Sequence, residues 1–179
     1  MSERIIIAGF GGQGVMAMGQ LLTYSGMIEG KEVAWYPSYG PEMRGGTANC
    51  NVTISEEVVG SPVVEEATTA LVLNGPSLDK FEDSVLPNGK LFINSSLISK
   101  KATREDIDVY YVPANEIANE LGNNRVANMV MLGAFIEAAK PVKVESVYEA
   151  FLEVFGSNRA HLLPVNKEAL ERGAMVIRG

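Results

Sequence analysis

The sequence predicts an α/β protein: a three-layer, Rossmann-like, mostly parallel sheet with helices on both faces and an inserted β-hairpin. Three observations carry this. The apolar run Ile5-Ile6-Ile7 meets four glycines in six positions, Gly9 to Gly14, and then apolar residues at helical spacing, Val15, Met18 and Leu22. Further short apolar runs at 70–74, 90–94 and 108–112 are set apart by turn or helix signals. Residues 47–55 alternate instead, as a hairpin strand does.

The elements follow in order. The first strand, 5–7, starts behind Glu3-Arg4 and reads as buried on both faces. The first helix spans 15–28, and Glu29-Gly30-Lys31 turns the chain into a second strand at 32–36. From Pro37 to Gly46, two prolines and three glycines forbid a regular element. Strand 47–55 places Ala48, Cys50, Val52 and Ile54 on one face and Asn49, Asn51 and Thr53 on the other. Glu56-Glu57 then reads as a turn and Val58-Val59 as the return strand of the hairpin. Strand 70–74 leads to a short helix opened by Pro76-Ser77 and reaching 85. Pro87-Asn88-Gly89 is a turn before strand 90–94, and Pro113 ends strand 108–112. Helices follow at 113–121, 126–139, 145–155 and 166–176, with Pro141 as a stop and Asn166 as the last N-cap. Asn128 stands inside the most apolar helix and needs partners; it either ties down the preceding loop or faces a subunit interface.

At 179 residues the chain is expected to form one domain, 1–179, with a real core. Hydrophobic residues at 46% and charged ones at 21% argue against disorder. A net charge of −7 without a basic patch argues against a nucleic-acid partner. No apolar run approaches the roughly 18 residues of a membrane span, and Ile5 to Ile7 is too short for a secretion signal, so a cytoplasmic protein is expected. The lone cysteine, Cys50, sits in a strand and reads as a buried, inert thiol. It cannot hold an iron–sulfur cluster or a four-cysteine zinc site alone. The lone histidine, His161, lies far along the chain, so Cys–His catalysis has no local support.

Two stretches stand out as candidate sites. Gly9, Gly11 and Gly14 have the G-x-G-x-x-G spacing of a dinucleotide-binding turn, in which bare backbone meets a phosphate at a helix N-terminus. The acid that would grip ribose hydroxyls at the end of the second strand is absent: Pro37-Ser38-Tyr39 stands there. The glycines therefore either admit an anion or only let the helix pack closely. Tyr39, Glu42 and Arg44 sit in the stiff 37–46 stretch, where strand ends of α/β sheets meet ligands. The alternative is an ordinary surface pair of Glu42 and Arg44.

Gly9-Phe10-Gly11-Gly12-Gln13-Gly14-Val15, followed by Tyr39-Gly40-Pro41-Glu42-Met43-Arg44-Gly45-Gly46, Ser55 and Ser61-Pro62, resembles the gamma subunit of 2-oxoacid:ferredoxin oxidoreductases. The likeness runs from about residue 4 to about residue 140 and includes Asn123-Asn124-Arg125 and Asn128-Met129; the last forty residues are generic. The Pro-Ser-Tyr-Gly-Pro-Glu-Met-Arg-Gly-Gly-Thr form is similar to 2-oxoglutarate members, with pyruvate, branched-chain (ketoisovalerate) and indolepyruvate enzymes as competitors. The resemblance implies a complex that turns a 2-oxoacid, coenzyme A and oxidised ferredoxin into acyl-CoA, carbon dioxide and reduced ferredoxin, with 2-oxoglutarate going to succinyl-CoA. It implies thiamine diphosphate, magnesium and iron–sulfur clusters on partners: an alpha, a thiamine-binding beta and a ferredoxin-like delta subunit. This chain itself would hold none of these and no catalytic residue, and would be inactive alone. Gly9, Gly11, Gly12, Gln13 and Gly14 would face a coenzyme A phosphate. Tyr39, Glu42, Arg44, Gly45, Gly46 and Asn128 would form an interface or substrate rim. Two other readings stay open: a free-standing NAD(P)- or flavin-dependent enzyme, and loops that serve only as interface. An isolated copy is expected to dimerise through the surface meant for its partners.

Overall fold

The computed structural model describes residues 2–39 and 47–179. Among them lie strands β1 (Ser2–Phe10), β2 (Glu32–Tyr39), β3 (Thr47–Ser55), β4 (Ala67–Val72), β5 (Val85–Asn94) and β6 (Asp108–Val112). The helices are α1 (Val15–Ile28), α2 (Gly75–Phe81), α3 (Ala114–Glu120), α4 (Ala127–Ala139), α5 (Val144–Phe155) and α6 (Leu163–Arg178). The strands form one sheet in the order β2-β3-β1-β4-β5-β6. β1, β4, β5 and β6 pair in parallel, and β3 runs antiparallel to both β1 and β2. The sheet is thus mostly parallel and mixed only where β3 enters.

Alternation along the strands builds two cores. Ile5, Ile7, Cys50, Val52 and Ile54 face α1, α4, α5 and α6; Ile6, Ala8, Val72 and Ile93 face α2 and the irregular segments around Val64 and Ile98. The chain therefore leaves β1 toward one face, through α1, and leaves β4 toward the other, through α2. The carboxyl ends of β1 and β4 flank the crevice that such a divergence opens. α4 is buried without interruption from Asn128 to Ile136 and crosses α6 at two glycines. A side chain on Gly133 would run into the Leu170 carbonyl, and one on Gly173 into the Val130 carbonyl. No helix of the described residues is long and apolar enough to cross a membrane.

Several boundaries differ from the sequence reading, each for a local reason. The expected hairpin does not close: 58–59 is irregular, because β3 already has β1 on one edge and β2 on the other. The inserted antiparallel pair is instead β2 with β3. β2 runs on through Pro37, which is tolerated on an edge strand. Pro87-Asn88-Gly89 is a bulge inside β5 and does not separate two elements. Ala67 pairs with Val85 and Thr69 with Lys90, and Asn88 takes a φ of 69°. Asn74 leaves the strand to cap α2, its Oδ1 accepting the Ser77 N–H at 2.9 Å. Asn166 is not an N-cap. α6 begins at Leu163 with Pro164 in its first turn, and Asn166 Nδ2 donates back to the Leu162 carbonyl at 2.7 Å.

Candidate functional site

β1 delivers Gly9 and Phe10 to the crevice, and α1 starts five residues later. Between them Gln13 holds the turn closed. Its backbone N–H donates to the Phe10 carbonyl at 3.2 Å, and its Oε1 accepts the Phe10 N–H at 2.6 Å. Its Nε2 donates to the Leu73 carbonyl at 3.3 Å, so one side chain ties the end of β1 to the end of β4. Leu73 is already tied to β1 by its N–H, which donates to the Ala8 carbonyl at 2.9 Å.

The two glycines after the bend do different work. Gly12 has φ 92°, and no atom lies within 4 Å of where its side chain would start, so the turn is open to solvent there. Gly14 caps α1 with φ 78°, and the space beside it is filled by the Asn128 side chain. Asn128 Nδ2 donates to the Gly14 carbonyl at 3.3 Å while its Oδ1 accepts the Met129 N–H at 2.9 Å. Asn128 is only 7% exposed, and it ties down the glycine turn, not the loop preceding its own helix. The first-turn N–H groups of α1 have no intrahelical acceptor, which leaves a positive end directed at the crevice.

Polar side chains gather at the same place. A cavity of about 110 Å³ is lined by Gly12, Gln13, Asn94, Asn115, Arg125 and Asn128, among others. Asn94 Nδ2 donates to Asn115 Oδ1 at 2.8 Å, so the end of β5 and the start of α3 are held together. A cavity of about 300 Å³ opens on the other side of Gly12, against Phe10, Met16, Tyr39 and Ala48. A third, about 290 Å³, shares Arg125 and Asn128 with the first. Charge from Arg125, open backbone at Gly12 and a wall of amides suit an anion the size of a phosphate group. A larger cavity of about 400 Å³ lies at the far end of α1, where Glu29, Lys31, Glu137 and Arg178 are engaged with one another.

The structure places Gly11 and Gly14 on one of the two cavities at the turn, Gln13 and Asn128 on the other, and Gly12 on both; Gly9, expected to face a ligand, is instead buried against Gln13, Leu73 and Val15 and lines neither. Tyr39, 63% exposed at the end of β2, borders the first of them. Glu42, Arg44, Gly45 and Gly46 lie outside the described residues. Arg125, Asn94 and Asn115 were not singled out from sequence as site residues. The available signal was position: a polar residue ending a parallel strand, and one opening the next helix. Cys50 and His161 are not brought together. Cys50 is buried in β3, with Sγ 3.6 Å from the Val15 carbonyl, and His161 is exposed on the 3-10 turn Ser157–Leu162. Burial pushes the Cys50 thiol up to about 12, against a smaller lowering by the Trp35 side chain. Among the described residues no group of three or more His, Cys, Asp or Glu side chains is placed to hold a metal ion.

Known proteins are similar to this chain along nearly its whole length. A family model described as pyruvate ferredoxin/flavodoxin oxidoreductase matches residues 4–176. The chain is 40% identical over 171 residues to ketoisovalerate oxidoreductase subunit VorA of Methanothermobacter thermautotrophicus, covering 96% of this chain and 35% of VorA. It therefore spans about a third of that relative's length. Identity to 2-oxoglutarate synthase subunit KorC of Methanocaldococcus jannaschii is 33% over 172 residues, covering 93% of this chain and 92% of KorC. The crystal structure of the keto/oxoacid ferredoxin oxidoreductase gamma subunit from Geobacter sulfurreducens superposes with a TM-score of 0.82 at 26% identity, covering 98% of each chain. The 2-oxoglutarate:ferredoxin oxidoreductase of Magnetococcus marinus, solved with 2-oxoglutarate, coenzyme A and succinyl-CoA bound, shares the fold at a TM-score of 0.90 and 23% identity. The match covers 99% of this chain and 31% of that one. The chain, from the first strand to the last helix, belongs to the pyruvate ferredoxin/flavodoxin oxidoreductase family.

Proposed function

We propose that residues 1–179 act as one gamma-type unit of a 2-oxoacid:ferredoxin oxidoreductase and that its glycine crevice receives coenzyme A. The observation that carries the reading is the crevice itself. Gly12 offers open backbone at a positive φ, the α1 N-terminus supplies a positive end, and Arg125 lines the same small cavity. A phosphate of coenzyme A is the anion that fits, with Gly9, Gly11 and Gly14 shaping the turn. Gln13 and Asn128 hold that turn in register and touch the ligand at most by their amides.

The decarboxylation is assigned to thiamine diphosphate with magnesium on a beta subunit, and electron transfer to iron–sulfur clusters that reduce ferredoxin. Alpha and delta subunits complete the assembly, which works in the cytoplasm. In this chain there is one cysteine, so a cysteine-held cluster lacks its other ligands here. Its own residues bind and orient; they move no proton and form no bond with the 2-oxoacid. Tyr39, with Glu42, Arg44, Gly45 and Gly46, forms the rim toward the thiamine-bearing subunit.

Two substrates are supported. Likeness to KorC across nearly its whole length favours 2-oxoglutarate, giving succinyl-CoA. The higher identity to VorA favours ketoisovalerate. The test is to purify the tagged chain from its host without oxygen, identify the accompanying subunits and assay both 2-oxoacids with coenzyme A and ferredoxin. Co-purified thiamine- and cluster-bearing subunits with coenzyme A-dependent oxidation of one substrate support the reading. In the same complex, Gly12→Val should weaken coenzyme A use while assembly is kept. Unaltered coenzyme A dependence removes the crevice from the account. A lone chain that binds NAD or flavin overturns the whole reading.

A further inference from the structure

We propose that the end of the sheet remote from the glycine crevice is the docking face for the subunit that corresponds to the remaining, larger part of VorA. The face is apolar with an acidic rim, and its partner presents apolar side chains flanked by lysine or arginine. The assignment rests on the chain being one unit of such a complex, not on what the crevice binds.

Connectivity gives the first reason. This fold accounts for 35% of VorA and 31% of the Magnetococcus marinus chain, so in both the larger part of the polypeptide is joined to it. β1 begins at the amino end of the sheet, where Ser2 pairs with Ser55. α6 finishes at the same end. Its Arg178 holds Glu137, in the last turn of α4, and lines the cavity of about 400 Å³ together with Glu29 and Lys31, which connect α1 to β2. In such relatives a unit joined through either end of this fold departs from the amino end of the sheet. Ligands of α/β sheets enter at the opposite, carboxyl end.

The side chains at the amino end give the second. α1 has no charged residue in its 14 positions. A helix that is apolar on all sides belongs in an interior. α4, uncharged as far as Glu137, is indeed buried from Asn128 to Ile136. α1 instead leaves Tyr24, Met27 and Ile28 exposed in its last turns. Val58, 84% exposed, and Val63, 46%, stand out from the segment between β3 and β4, which crosses the same end. Val63 lines a further cavity there, of about 390 Å³. Exposed apolar clusters of this kind mark surfaces that a partner covers.

Charge fixes the partner's chemistry. Glu56, Glu57, Glu65 and Glu66 flank the two valines, and all four are exposed. The segment 56–66 carries no lysine or arginine. Among the described residues none of the four carboxylates has a cationic partner, and Arg4, which shares the cavity at Val63, is outnumbered by them. The charges beside the end of α1 are matched instead: Lys31 to Glu29, and Lys140 and Arg178 to Glu137. The unbalanced charge on this face is therefore negative, and it selects a partner with a basic rim. A second copy of this chain would set acid against acid.

The test uses the chain in its purified complex. Cys50 is buried, so a cysteine introduced at an exposed position is the reactive one in this chain. A thiol-to-lysine cross-linker is applied, and the linked peptides are identified by mass spectrometry. Val58→Cys and Met27→Cys should both link to the subunit similar to the remaining part of VorA. Leu97→Cys, 53% exposed beyond the carboxyl end of β5, should not. Met27→Glu, and Glu65→Lys combined with Glu66→Lys, should each reduce association with that subunit by roughly tenfold, whereas Leu97→Glu should leave it unchanged. Links from Val58→Cys and Met27→Cys to another subunit or to a second copy of this chain overturn the docking face and leave the complex standing. An absence of links from both positions, or links to that subunit from Leu97→Cys alone, overturns it as well. If no subunit accompanies the chain, the proposed function fails and this inference with it.

Discussion

Asn128 and Gly14 lie 114 positions apart in the chain and share a hydrogen bond, from the Asn128 amide to the Gly14 carbonyl, at 3.3 Å. The same amide occupies the space where a side chain on residue 14 would stand. The bond joins the start of α4 to the start of α1, so the glycine turn keeps its shape only while the core helix is seated.

Replacing Asn128 with alanine removes the tether. The Gly14 carbonyl still accepts the Met18 N–H, so no acceptor is left bare. It also takes away the Oδ1 that accepts the buried Met129 N–H, so the expected loss is about 2 kcal/mol, more than the worth of one bond, read as a lower urea midpoint. On the proposed function, coenzyme A affinity should fall as well, because the turn loosens. Asn128→Asp should cost more than Asn128→Ala, since a carboxylate would face the Gly14 carbonyl.

Gly14→Ala combines a left-handed backbone with a collision. The φ of 78° costs about 1–2 kcal/mol for any residue with a side chain, and the Asn128 amide stands in the way. In the double variant with Asn128→Ala the collision is gone. The two single losses should therefore exceed that of the pair, by a coupling of roughly 0.5–3 kcal/mol. Strict additivity in denaturation curves would show that the two residues do not meet.

Glu29 gives a pH signature. Burial alone raises its carboxyl. The Lys143 N–H, which it accepts at 2.7 Å, together with Ser146 and Lys31, outweighs that and holds it below the ordinary carboxylate range. A depressed carboxyl adds stability that is fully present above its unfolded value and is lost as pH falls through the folded one. Thermal midpoints of the unaltered chain should therefore drop more steeply in the acid range than those of Glu29→Gln. Parallel curves from neutral pH downward would show that Glu29 contributes nothing.

Cys50 should resist alkylation. Its thiol, pushed up to about 12 by burial, holds almost no thiolate at neutral pH. Iodoacetamide should label it only as fast as the chain opens, and labelling should rise with urea in step with unfolding. Rapid labelling of the folded chain would contradict its burial.

Much of the fold was legible because it is written locally. The strand at Ile5, the glycine turn and the helix beginning at Val15 lie where the pattern puts them, and α1 matches its expected span, as does β6. The partner of β3 was not legible. An alternating strand shows which face is buried but not which neighbours it pairs with, and the tempting return at Val58-Val59 lost to two strands remote in sequence. Asn166 looked like a cap because asparagine caps helices, yet Pro164 starts that helix earlier. At the site, the glycines were visible by spacing and Asn128 by its oddity in an apolar helix. Gln13 was visible only as a member of the turn. Its bridge to Leu73, and the meeting of Arg125 with Gly12, depend on contacts that no local pattern records.

The crossing at Gly133 and Gly173 sets how this protein breathes. Two backbones in direct contact cannot slide apart a little, so α4 and α6 should open together as one cooperative unit in hydrogen exchange. The turn bearing Arg125 runs straight into α4, and the turn bearing Arg159 runs straight into α6. Both turns should therefore lose exchange protection together with the helices that follow them.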